Sequence, residues 1–77
     1  MNRLSESISI MNKLYNELHV PKEDPGAKEL SKRLSDYVKS QKSWAGYIQF
    51  PTLKRHLHVI LPNNPAMDIR AVFKKAN

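Results

Sequence analysis

The 77-residue chain contains no cysteine, so neither a disulfide nor a thiolate metal site can staple its fold. A chain this short buries only roughly 60 to 65% of its unfolded surface, which leaves a small core. Tight packing or self-association has to supply what a staple does not. Glycine is scarce as well, with only Gly26 and Gly46 in unrelated places, so there is no glycine-rich loop to cradle a phosphate. No apolar run approaches the length of about 18 residues that crosses a bilayer. Ser5, Glu6, Ser7, Ser9 and Asn12 interrupt any leader-like apolar stretch near the start. The expectation is a cytoplasmic protein with no membrane partner, nucleoid-associated if it binds DNA. Acidic residues are few: 13 Lys and Arg stand against 7 Asp and Glu, a net charge of +6, and no Asp or Glu lies within residues 37–67.

What is present is the composition of a foldable domain, with 40% apolar and 26% charged residues. One domain over 1–77 is expected. The charge is lopsided. Residues 1–27 hold three basic and four acidic side chains, a net of −1, whereas residues 28–77 hold ten and three, a net of +7. With a pI near 9.8, an anionic partner is the leading idea.

Apolar spacing suggests helices. Leu4, Ile8, Met11, Leu14, Tyr15 and Leu18 share one helical stripe, predicting a helix from Asn2 or Ser5 to Leu18 that Pro21 prevents from continuing. Asp24 before Pro25 is an N-cap with proline at N1. The helix it opens, predicted over 25–42, sets Ala27, Leu30, Leu34, Tyr37, Val38 and Gln41 on one face. Residues 43–50 carry a glycine and three aromatics without a helical period and read as a packed loop or a short strand lacking a partner. Pro51 opens a predicted third helix over 51–61, in which Leu53, His56, Leu57, Ile60 and Leu61 follow the i, i+3, i+4, i+7, i+8 pattern. Asn64 with Pro65 repeats the cap signal for a fourth helix, with Ala66, Ile69, Val72, Phe73 and Ala76 inside. The predicted class is therefore all-α, a compact bundle of about four helices.

On a helix over 51–61, Lys54, Arg55, His58 and Val59 point outward. The run from Pro51 to Leu57 then resembles, in a general sense, the recognition helices of helix-turn-helix regulators. That resemblance implies entry into the major groove of duplex DNA, with Lys54 and Arg55 as the main contacts and Thr52 and His58 beside them. Lys39, Lys42, Arg70, Lys74 and Lys75 would clamp phosphates. Trp44, Tyr47 and Phe50 lie between basic residues and could instead stack on unpaired bases, although a lone tryptophan in so small a domain is first a core residue. His56 and His58 diverge on a helix and His19 is distant, so no metal site is expected. With no paired carboxylates and no nucleophile beside a base, neither an enzyme nor a cofactor is expected.

The function expected is that of a small DNA-binding regulator or accessory factor, with a homodimer through the N-terminal helix as a further possibility. The alternative is a protein-interaction module that docks on an acidic partner protein, with Val59 and Met67 exposed.

Overall fold

The computed structural model describes residues 3–64 and 66–75. Helix α1 spans Arg3–Asn12 and runs into a π-helical turn at Lys13–Glu17, closed by the Leu18 amide donating to the Lys13 carbonyl at 3.1 Å. His19 then turns left-handed, with φ 56°, and ends the helix. Helix α2 covers Pro25–Ser40. Three strands follow, β1 at Trp44–Phe50, β2 at Arg55–Leu61 and β3 at Arg70–Lys75, paired antiparallel in the order β1-β2-β3. A single 3-10 turn at Pro51–Leu53 joins β1 to β2.

The Asp24–Pro25 start signal works as its chemistry requires. The buried Asp24 carboxylate accepts the Gly26 amide at 2.7 Å through Oδ1. Through Oδ2 it accepts the Thr52 amide at 3.2 Å and the Thr52 hydroxyl, which ties the start of α2 to the β1–β2 turn. At the other end Gln41 adopts a left-handed conformation, φ 54°, and its amide donates to the Tyr37 carbonyl at 2.7 Å. The Tyr37 hydroxyl in turn donates to the Pro62 carbonyl beyond β2.

Ala27, Leu30, Leu34 and Tyr37 of α2 form one core with Leu14, Ile48, Phe50, Leu57, Val59 and Leu61. In strands, successive side chains point to opposite faces. Leu57, Val59 and Leu61 thus meet the helices together with Ile48 and Phe50, while the alternate residues face away. Arg3 secures α1 by donating to the carbonyls of Asn64, at 2.9 Å, and Met67, at 3.2 Å.

The fold is α+β, two α-helices and a three-stranded sheet among the described residues, and this overturns the all-α, four-helix and helix-turn-helix expectations. The predicted helix over 51–61 is a turn followed by β2. Its apolar residues satisfy a period of two, Leu57, Val59 and Leu61, as well as the helical one, and β1 supplies the backbone partners that a helix would forgo. The strand alternative for 43–50 is therefore the correct one. The fourth helix is absent where β3 runs. Asn64 shapes a turn instead of a helix start, its side chain accepting the Ala66 amide at 2.9 Å and its carbonyl the Met67 amide at 3.0 Å. Asn2, Pro65 and Ala76, named in those expectations, lie outside the described residues. Among the described residues no helix is long and apolar enough to cross a membrane.

Candidate functional site

With both helices packed on one side, the other side of the sheet is open. The pairing register arranges it in three rows: Ala45, Ile60 and Arg70; Tyr47, His58 and Val72; Gln49, His56 and Lys74. Tyr47 is 54% exposed, an uncommon setting for an aromatic side chain unless its ring has a use. Its ring lies nearly parallel to that of His58, 20° between planes and 4.6 Å between centroids. The ring of His56 meets it edge-on at 5.0 Å. Three flat π-systems are thereby held in one patch by strand pairing alone. The ordering entropy of that patch is met by folding and not by any ligand that later stacks there.

The charged strand residues of this face are all cations. Arg70 and Lys74 stand at the two ends of β3, four residues apart, and Lys54 lies in the turn beside the Gln49 row. No strand contains an Asp or Glu, so these cations have no acidic neighbour in the sheet. Asp24, Glu29 and Asp36 belong to the helix layer, and Asp68 is exposed two residues before β3.

The residues singled out from sequence disperse over the molecule. His58, Arg70 and Lys74 share the open face. Arg55 and Lys75 are paired with each other at the end of the sheet and alternate toward the helix side, in step with Leu57 and Phe73. Lys39 and Lys42 are exposed at the end of α2 and just after it, away from the face, while Thr52 is committed to Asp24. No helix presents Lys54 and Arg55 together: Lys54 sits in the left-handed region, φ 53°, at the end of the turn, and Arg55 opens β2. Val59, expected outside, is fully buried, whereas Met67 is 54% exposed.

Of the three aromatics considered for stacking, only Tyr47 is available. Phe50 is fully buried, its ring 5.2 Å from that of Phe73. Trp44 lies against Gly46, where a Cβ would come within 2.9 Å of the indole, and the Arg33 guanidinium covers the indole at 4.5 Å. His56 was expected on the inner stripe of a helix and not at a binding surface, and Gln49 was not singled out from the sequence. The signal for them is the alternation His56, Leu57, His58, Val59, which places both imidazoles on the face opposite the core once the segment is read as a strand. Among the described residues no group of three His, Asp or Glu side chains is placed to hold a metal ion.

No protein-family model matches the chain, and searches of curated proteins and of solved structures find no match either.

Proposed function

We propose that this chain binds single-stranded nucleic acid on the open face of its sheet. The observation that carries the reading is the exposed Tyr47–His58 stack, with His56 edge-on beside it, in a face bordered by Arg70 and Lys74 whose three strands contain no Asp or Glu. Unpaired bases have exposed π-faces and stack on such rings whatever their identity, while the cations follow the phosphates. In duplex DNA the bases are stacked on one another and offer only their edges in the grooves. A short three-stranded face whose main asset is a flat ring pair gains little from them. The duplex reading also relied on a helix over 51–61, and that segment is a turn and a strand.

Fluorescence anisotropy with labelled single-stranded DNA, single-stranded RNA, duplex DNA and an acidic polypeptide, each at two salt concentrations, tests the proposal. Single strands should bind more tightly than the duplex or the polypeptide. Loss of one stacked base costs roughly 1 to 3 kcal/mol, so Tyr47→Ala should weaken single-strand binding about 5- to 150-fold. Arg70→Ala with Lys74→Ala should flatten the salt dependence by about 0.7 log units per cation removed. Equal affinity for the acidic polypeptide, or binding indifferent to Tyr47→Ala, would sink the assignment. The first result would restore docking on an acidic protein as the function of this basic surface.

A further inference from the structure

A sheet with only three strands has two edges, and here they are built differently. The outer edge of β3 carries Arg70, Lys74 and Lys75, and lysine on an edge strand discourages pairing with another chain. The outer edge of β1 has no such protection. Its seven residues, Trp-Ala-Gly-Tyr-Ile-Gln-Phe, include no charge and no proline. Among the described residues no backbone group bonds to that edge. A short segment with three aromatics and an isoleucine, uncharged and free of proline, is the kind that pairs with a copy of itself.

The geometry points to a second copy of this chain as the occupant of that edge, joined β1 to β1 in antiparallel register as a twofold-symmetric dimer. Self-pairing is the arrangement to which charge raises no local objection. Two β1 strands place nothing ionised opposite itself, whereas two β3 strands would oppose lysines and an arginine. Space favours the start of the strand. The Gln49 carbonyl lies against Gly26 at the beginning of α2, so Trp44 to Ile48 is the freer part of the edge. A pairing centred on Gly46 sets Tyr47 across from Ala45 of the other copy, a large side chain against a small one, and brings Trp44 opposite Ile48 on the helix side. The product is a continuous six-stranded sheet, twice the three of one copy, with both open faces on the same side.

The dimer does not depend on the nucleic-acid reading, but it would extend it: one strand crossing both Tyr47–His58 stacks gains from their linkage without any new contact. The two associations also differ in their response to salt. Each copy carries a net charge of +6, so salt screens repulsion between copies and favours the dimer, while it weakens binding to phosphates.

Light scattering on a sizing column, without nucleic acid and over a hundredfold dilution series, gives the mass directly. The wild-type chain should rise from 8.9 kDa toward twice that value with concentration, and further at higher salt. Ala45→Lys, which sets an exposed cation on the edge, should hold the chain at the single-copy mass throughout, and Ile8→Glu on the exposed side of α1 should behave as wild type. Amide exchange along β1 in the unsubstituted protein should slow as concentration rises, a readout that needs no variant to fold. A wild-type mass that stays single, exchange independent of concentration, or a dimer broken by Ile8→Glu and not by Ala45→Lys would each overturn the proposal. The last would move the interface to the N-terminal helix.

Discussion

Replacing Gly26 with alanine should reverse the sign that helix propensity assigns to it. Gly26 is the second residue of α2, and on propensity alone a glycine-to-alanine change in a helix gains roughly 0.5 to 1 kcal/mol. Packing opposes this. A Cβ at Gly26 would stand 2.4 Å from the Gln49 carbonyl oxygen and 2.7 and 2.8 Å from two ring carbons of Phe50. Neither neighbour can yield, because the first is strand backbone and the second belongs to a fully buried ring. Relief therefore requires α2 to lift from β1 by about 1 Å, a gap that already forfeits a quarter to a half of each dispersion contact. Lifting also strains the bridge in which Asp24 accepts Gly26 on one side and Thr52 on the other, bonds to a carboxylate worth roughly 1.5 to 3 kcal/mol each. Overpacking of about 1 to 3 kcal/mol, with part of that bridge added and the propensity gain subtracted, leaves a net loss of roughly 2 to 4 kcal/mol. A chain of this length has only about 4 to 12 kcal/mol in total. Thermal unfolding followed by circular dichroism should show Tm lowered by roughly 10 to 30 °C. Ser35→Ala, exposed in the same helix, should raise Tm slightly. A Tm for Gly26→Ala equal to or above wild type would refute the close contact between α2 and β1.

Two further stability changes follow from the ends of α2. Gln41→Gly should stabilise the protein by about 0.5 to 1 kcal/mol in urea unfolding, because the left-handed conformation costs an L-residue roughly 1 to 2 kcal/mol and glycine returns part of that as chain entropy; a destabilised variant would contradict the αL cap. Asp24→Ala should cost about 3 to 5 kcal/mol by orphaning two backbone amides and the Thr52 hydroxyl, and Thr52→Val about 1 kcal/mol. The double variant should cost clearly less than the sum of the two, since both remove one shared contact; strict additivity would mean that Asp24 and Thr52 do not interact.

The sequence made α2 legible because its information is local. A cap, a proline at N1 and an apolar stripe act within a few turns of one another; Ala27, Leu30, Leu34 and Tyr37 are buried as expected and Val38 half-buried, while Gln41, the last member of the expected stripe, is the exposed left-handed residue that ends the helix. The N-terminal helix was legible in extent and less so in facing. Leu4 and Ile8 of the expected stripe are 51% and 52% exposed, and the buried positions are Ser7 and Leu14, seven residues and so about two turns apart. The second half of the chain was misread because strands are stabilised by partners that local periodicity does not register. Residues 44–50 have no obvious mate until 55–61 is allowed to be a strand, and 55–61 passes as a helix until 44–50 is. The four residues from Pro51 to Lys54 decide the matter by turning one segment back on the other. The same error hid the candidate site. Tyr47, His56 and His58 converge only across paired strands, whereas on a helix the two histidines diverge.

Since one face of the sheet forms the core and the other forms none of it, stability and binding should be separable by residue parity along a single strand. Tyr47 and Phe50 lie three apart in β1 and so on opposite faces. Phe50 is fully buried against Phe73 and α2, and truncating it to alanine leaves a cavity worth about 3 to 5 kcal/mol, most of the stability of a chain this small. Tyr47 touches only His56 and His58 among the rings, cross-strand contacts of roughly 0.2 to 1 kcal/mol. Tyr47→Ala should therefore fold with a Tm within several degrees of wild type while losing tenfold or more in single-strand affinity. Phe50→Ala should lose binding only in proportion to the fraction unfolded, recovering wild-type affinity at temperatures where the variant is folded. If Tyr47→Ala unfolded as readily as Phe50→Ala, Tyr47 would be part of the core. The open face would then be no platform for a ligand.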